Sequence, residues 1–102
     1  IYYDQDTKKL AEEIRDYVAK LFPHNPMIAI GNMHDHPIGP HPKSQFVLAI
    51  HHTYLQFAFN FIMKNRQGLT VLIHPETGNE IKDHTDHVVW MGTPLTLDLT
   101  KL

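Results

Sequence analysis

Cysteine is absent from this 102-residue chain, which removes disulfides, thiolate nucleophiles, sulfur-ligated zinc and iron–sulfur clusters together. Any metal site must draw on nitrogen and oxygen donors. Long apolar runs are missing too, none approaching the ~20 residues that cross a bilayer. No membrane partner is expected. Nine Lys plus Arg against eleven Asp plus Glu leave a formal charge of −2, and the basic residues form no block. The electrostatic footprint of a nucleic-acid binder is lacking. The chain begins at Ile1 rather than Met, so preceding residues are expected, and cytoplasm is the default location.

What the chain has in excess is histidine, nine in all. Seven fall in three short clusters: His34, His36 and His41; His51 and His52; His84 and His87. Imidazole is the commonest protein metal ligand and titrates nearest neutral pH, so such clusters suggest a metal or proton-transfer site.

Hydrophobic periodicity organises the rest into one domain, 1–102. Ile1-Tyr2-Tyr3 reads as a short strand. Asp4 or Asp6 can cap a helix over about 7–22, on which Leu10, Ile14, Tyr17, Val18 and Leu21 recur at helical spacing before Pro23. Met27 to Met33 is a buried-type run, and the loop 34–42 after it is stiffened by Pro37, Pro40 and Pro42. Gln45 to His51 reads as the returning strand. Thr53 is placed to cap a second helix, to Arg66, with Tyr54, Phe57, Ala58, Phe61 and Ile62 on one face and Gly68 as its C-terminal stop. Leu69–Ile73 and His87–Met91 are two further strands separated by the turn Pro75–Gly78. The order β-α-β-β-α-β plus a C-terminal strand predicts an α+β, ferredoxin-like split βαβ domain, with two helices on one face of an antiparallel sheet.

Strand direction then sorts the histidines. His34, His41, His74, His84 and His87 fall at one end of the sheet, while His24, His51 and His52 fall at the other and take the ordinary surface reading. His34 and His74 close strands at opposite edges, three spacings of roughly 4.8 Å apart, a gap of about 14 Å. Twist, the loop 35–44 or a second subunit would have to close it. The bare sheet face, with Val47, Ala49, Thr70 and Leu72, also predicts a homodimer.

Two or three neutral imidazoles with a carboxylate and open positions suit a non-haem Fe(II) oxygenase or a catalytic zinc site. Candidate carboxylates nearby are Asp35, Glu76, Glu80, Asp83 and Asp86. Spacing does not choose among these.

The motifs do more. His34-Asp-His-Pro-Ile-Gly-Pro-His-Pro42, His74-Pro-Glu-Thr-Gly78 and Asp83-His-Thr-Asp-His87, with the tail Pro94-Leu-x-Leu-Asp98, resemble the small DOPA 4,5-dioxygenase family of fungi and bacteria over essentially the whole chain. The resemblance implies extradiol cleavage, in which Fe(II) is chelated by both oxygens of an aromatic diol and O₂ opens the ring beside them. On this reading His34, His74 and His87 hold the metal, with Asp35 or Asp86 as a possible further ligand, and Zn(II) or another divalent ion could stand in. His41 and His84 are the catalytic proton-transfer pair, and Asp35, Asp83 and Trp90 the candidate substrate contacts. His36 occupies a variable place in the pattern and is left out. Asp83 and Asp86 could equally orient imidazoles or cap the turn, and Trp90 could equally serve the core. Two other classes compete: a zinc-dependent hydrolase, and a non-catalytic module that binds an aromatic acid.

Overall fold

The computed structural model describes residues 1–102. Helix α1 (Lys8–Leu21) starts within one residue of its expected position. Asp4 ties down the turn ahead of it, its Oδ1 accepting the amides of Asp6 and Thr7 and the Thr7 hydroxyl at 3.0 Å each. Ala11, Ile14 and Val18 are its buried stripe, the i, i+3, i+7 spacing of an amphipathic helix.

Strands β1 (Ile28–Ile30) and β2 (Leu48–Ile50) pair antiparallel with Ile28 opposite Ile50. They are shorter than the apolar runs that announce them, but pairing resumes where His34 and Gln45 exchange both amide–carbonyl bonds, at 2.9 and 3.0 Å. Strands β3 (Val71–Ile73) and β4 (Val89–Met91) form a second antiparallel pair, with Leu72 opposite Trp90. The N-terminal segment joins the two hairpins. Tyr2 bridges Gln45 on one side, and on the other its amide donates to the Thr70 carbonyl at 2.9 Å. Across the sheet the order is 28–34, 45–50, 1–3, 70–73, 89–91, the ferredoxin-like order with one added edge strand.

Helix α2 (Leu55–Asn65) is entered through a 3₁₀ turn, His52–Tyr54. Thr53 does not cap α2, which has no side-chain cap; the 3₁₀ turn is capped instead by the His51 ring, which accepts the Thr53 amide at 3.2 Å. After α2 the chain reverses through Gln67 and Gly68, both at positive φ (+50° and +86°), a conformation glycine adopts without a steric cost. A short helix α3 (Glu80–Asp83) follows β3, its first turn capped by the Asn79 side chain, which accepts the Lys82 amide. The tail ends in a 3₁₀ turn, Leu99–Lys101.

Both helices pack on one sheet face. Tyr3, Ala11, Ile14, Phe46 and Leu69 form one buried cluster, and Ile62, Val71 and Met91 another, with Ile1 and Leu48 touching both. The aromatic face of α2 packs mainly against α1: Phe61 stacks on Tyr17 and Phe57 meets Phe22 edge-on. Between α1, α2, β1 and β2 lies a gap of about 20 Å³ lined only by apolar side chains, room for one water but with no polar partner to hold it. It is a packing defect rather than a binding site.

Alternation sends Tyr2, His34, Gln45, Leu72, His74 and Trp90 to the opposite face. No helix covers that face, yet Tyr2 is only 2% and Gln45 only 8% exposed. The cover comes from the chain itself: His41, in the loop 34–44, lies against Tyr2, and the buried Pro40 of that loop accepts the Asp98 amide from the C-terminal tail. Val47, further along β2, stays 54% exposed.

Candidate histidine site on the open sheet face

The loop after His34 is folded back by a tight turn, with the His41 amide donating to the Ile38 carbonyl at 3.0 Å. Gly39 takes φ +55° there, where a side chain would be strained, and Pro40 fixes the next step. His41 is thereby laid over the central segment. Its Nδ1 lies 2.7 Å from the Tyr2 hydroxyl, and its ring meets the Tyr2 ring edge-on at 5.5 Å. Burial, with a smaller contribution from the nearby His84 and His74 rings, pushes its pKa down to about 4. The ring is neutral at pH 7.

His74 closes β3, and His84 follows α3; their ring centroids stand 4.3 Å apart, with His41 6.3 Å from His84. Each of the pair has its Nδ1 at a backbone carbonyl, His74 at that of Pro75 (2.9 Å) and His84 at that of Glu80 (2.7 Å). A carbonyl can only accept, so Nδ1 carries the proton in both rings and Nε2 presents a lone pair. Metal-binding histidines are oriented in this way.

Asp83 holds the pair's supports together. It is buried, 3% exposed, and accepts the Thr77 amide (2.8 Å) and hydroxyl (2.6 Å), closing the turn after His74 onto α3 just before His84. Those Thr77 bonds hold its pKa below the ordinary carboxylate value, with His87 and His74 adding to the effect. Asp83 is thus engaged as an orienting group rather than presented to a substrate. Asp83→Ala is expected to loosen the turn and weaken divalent-metal retention by roughly 10- to 100-fold, the usual loss for a support of this kind. Equilibrium dialysis against Fe(II) or Co(II) checks it.

The other expected residues lie apart. His34 is beside His36, ring centroids 6.3 Å apart, and two chain segments, 44–46 and 1–3, separate it from β3. His87 is exposed. No three His, Asp or Glu side chains stand close enough to hold one ion, so His34, His74 and His87 do not form a single ligand set. Asp35 falls on the helix side, where it accepts the Tyr3 hydroxyl and the Lys8 ammonium at 2.6 Å each. It ties strand to helix and is not turned toward the histidines. Asp86 is exposed. Trp90 is half-buried on the open face and stacks on Tyr2, centroids 6.1 Å apart and planes 23° apart. His24, His51 and His52 are exposed and outside the group.

Lys8 and Tyr3 lower the pKa of Asp35, and a carboxylate lowered on folding contributes stability above its unfolded pKa, near 3.9. That contribution is lost as pH falls through the lower, folded value. Folding also lowers the His41 pKa from 6.5 to about 4. The melting temperature of the wild type should therefore begin to fall below about pH 6.5 and fall further below about pH 4, where Asp35 is protonated. Asp35→Asn should flatten only that lower part of the drop in a pH series of thermal melts.

Tyr2 and Thr77 were not singled out by the sequence as site residues. Alternation offered a signal for Tyr2: if Ile1 and Tyr3 face the core, Tyr2 must face the histidines. Thr77 lies inside the His74–Gly78 motif, but its partner Asp83 is six residues on, across a helix the periodicity did not announce.

The model of the Dopa 4,5-dioxygenase family matches residues 1–101. The chain belongs to this family. Among curated proteins, the family member is 29% identical over 107 residues to a DOPA 4,5-dioxygenase of Amanita muscaria, covering 100% of this chain and 47% of that protein. It is 33% identical over 109 residues to an uncharacterized 21.2 kDa protein of Botryotinia fuckeliana, covering 98% of this chain and 59% of that one. The chain thus spans about half the length of the curated relatives it matches. Among solved structures it superimposes with a TM-score of 0.86 on the crystal structure of a "putative dioxygenase" from Nostoc punctiforme, at 32% identity, covering 94% of this chain and 80% of that one.

The donor chemistry of His74 and His84 suits a first-row divalent metal. Both have Nδ1 committed to a backbone carbonyl, which leaves Nε2 as the donor, on a chain without sulfur donors. The fit extends to two protein ligands, since no third donor stands with them.

Proposed function

We propose that the open-face site binds an aromatic diol beside Fe(II) held through His74 and His84, and opens its ring with O₂. The single observation that carries this reading is the tethered pair, two imidazoles 4.3 Å apart with both Nδ1 atoms committed to carbonyls. Bound there, iron would supply the electrons that activate O₂ and the positive charge that favours a deprotonated diol. His84 moves from the proton-transfer role expected of it to a metal-holding one, and His41 keeps the proton-transfer role alone. A half-buried neutral imidazole next to the pair can hold or move a proton at Nε2, the one ring nitrogen left free by Tyr2. Trp90, flat against Tyr2, supplies an aromatic wall on the same face.

The experiment is anaerobic reconstitution with Fe(II), admission of air with a panel of catechols including DOPA, and a search for the yellow semialdehyde chromophore. Colour with at least one catechol is expected, and bound iron with no colour from any of them would refute the reading. A homodimer is part of the same proposal; light scattering after gel filtration should return twice the chain mass.

A further inference from the structure

We propose that Tyr2 is a positioning residue that sets His41 as the hydrogen donor of the site, opposite in tautomer to His74 and His84. The inference rests on the proposed reading of that site, and extends it to a residue outside the histidine motifs.

The three Nδ1 atoms have different kinds of partner. For His74 and His84 the partner is a carbonyl oxygen, so the proton must reside on Nδ1 and the lone pair on Nε2. For His41 the partner is a hydroxyl, which could donate or accept. The surroundings of Tyr2 decide. Tyr2 as a residue is 2% exposed, and the His41 Nδ1 is the one hydrogen-bond partner its hydroxyl has, in a partly buried contact. Were His41 to donate, the phenolic proton would have no acceptor within the protein, a costly arrangement for a donor on a residue so largely buried. Burial also raises the phenol's pKa far above neutral, so the proton is there to give. Tyr2 therefore donates, and the neutral His41 ring carries its proton on Nε2.

Tyr2 can impose this because it is itself immobile. It occupies the central position of the sheet, bridged to Gln45 and bonded through its amide to the Thr70 carbonyl, and its ring lies between His41 and Trp90. The site then divides by tautomer into two lone pairs suited to a cation and one N–H suited to an oxygen. A ligand bound at the pair through a phenolate or catecholate oxygen would accept from the His41 Nε2–H. The chemical class favoured is an anionic aromatic oxygen.

Long-range ¹⁵N–¹H correlation of the imidazole rings in the metal-free protein at neutral pH tests this, since protonated and bare ring nitrogens resonate far apart. His41 is expected with a bare Nδ1 and a protonated Nε2, and His74 and His84 with the reverse. Tyr2→Phe, which keeps the stack on Trp90, should bring His41 toward a mixture of tautomers. In the iron-loaded protein it should lower kcat for a cleaved catechol by about 10- to 100-fold with little change in KM. A wild-type His41 protonated at Nδ1 would overturn the proposal without any variant, as would a Tyr2→Phe protein with unchanged ring shifts and kcat. Failure of every catechol to react would count against the dioxygenase reading, while the tautomer result would stand on its own.

Discussion

Alanine at His84, or at His74, is expected to cost most of the bound iron, while alanine at His34 or His87 leaves it within about twofold. The asymmetry is the sharpest consequence of the geometry. Only the first two have their rings 4.3 Å apart and their Nδ1 atoms pinned to carbonyls, so only they present preorganised lone pairs. Removing one ligand of two should weaken retention by more than the roughly 10- to 100-fold typical of losing an orienting partner, and ring cleavage should fall below detection with it. Both residues are half-buried rather than core, so the melting temperature of the metal-free protein should shift by only a few degrees, in line with about 1 kcal/mol or less for most substitutions outside a core. Iron content by colorimetric assay, thermal melts and catechol turnover on the same preparations separate loss of the site from loss of the fold. Equal iron loss at His34 and His74 would mean that the two strand ends share one ion, contrary to their places in the sheet.

The fold was legible because each level agreed: helical spacing at Leu10, Ile14 and Val18, apolar runs that contain β1 and β3, and proline and glycine at the breaks. The element order then leaves few arrangements of the sheet. Short interruptions escaped, since α3 has four residues and too few turns for periodicity to register. At the site, strand order gathered His41, His74 and His84 at one end correctly. It could not say which of five histidines converge, because that depends on loop paths: the turn at Gly39 that lays His41 on Tyr2, and the Thr77–Asp83 clamp that carries His84 to His74. Asp35 illustrates the period-2 rule at a strand end. Its neighbour His34 shares the open face with Gln45, and so Asp35 turns to the helix side and meets Tyr3 and Lys8.

Phe46→Ala should produce the largest loss of stability. Phe46 is fully buried, 0% exposed, in the cluster with Tyr3, Ala11, Ile14 and Leu69. Truncating a core phenylalanine costs about 3–5 kcal/mol, from lost transfer energy and the cavity left behind. Against a total of about 5–15 kcal/mol for a domain, that is a large fraction. At about 4–8 °C per kcal/mol for this size, the melting temperature should fall by on the order of 20 °C. Val47→Ala, one residue on but 54% exposed, is the control and should stay within about 0.5 kcal/mol. The loss also reaches the site, because the Phe46 amide donates to the Ile1 carbonyl at 3.1 Å and its neighbour Gln45 bridges Tyr2. The side chain that fills the helix-side core thus belongs to the strand that holds the floor of the histidine site on the other face. Held cold enough to remain folded, Phe46→Ala should retain iron, and on warming it should lose iron and its near-ultraviolet dichroism in one transition. Iron release well below that transition would show instead that the open face melts independently of the core beneath it.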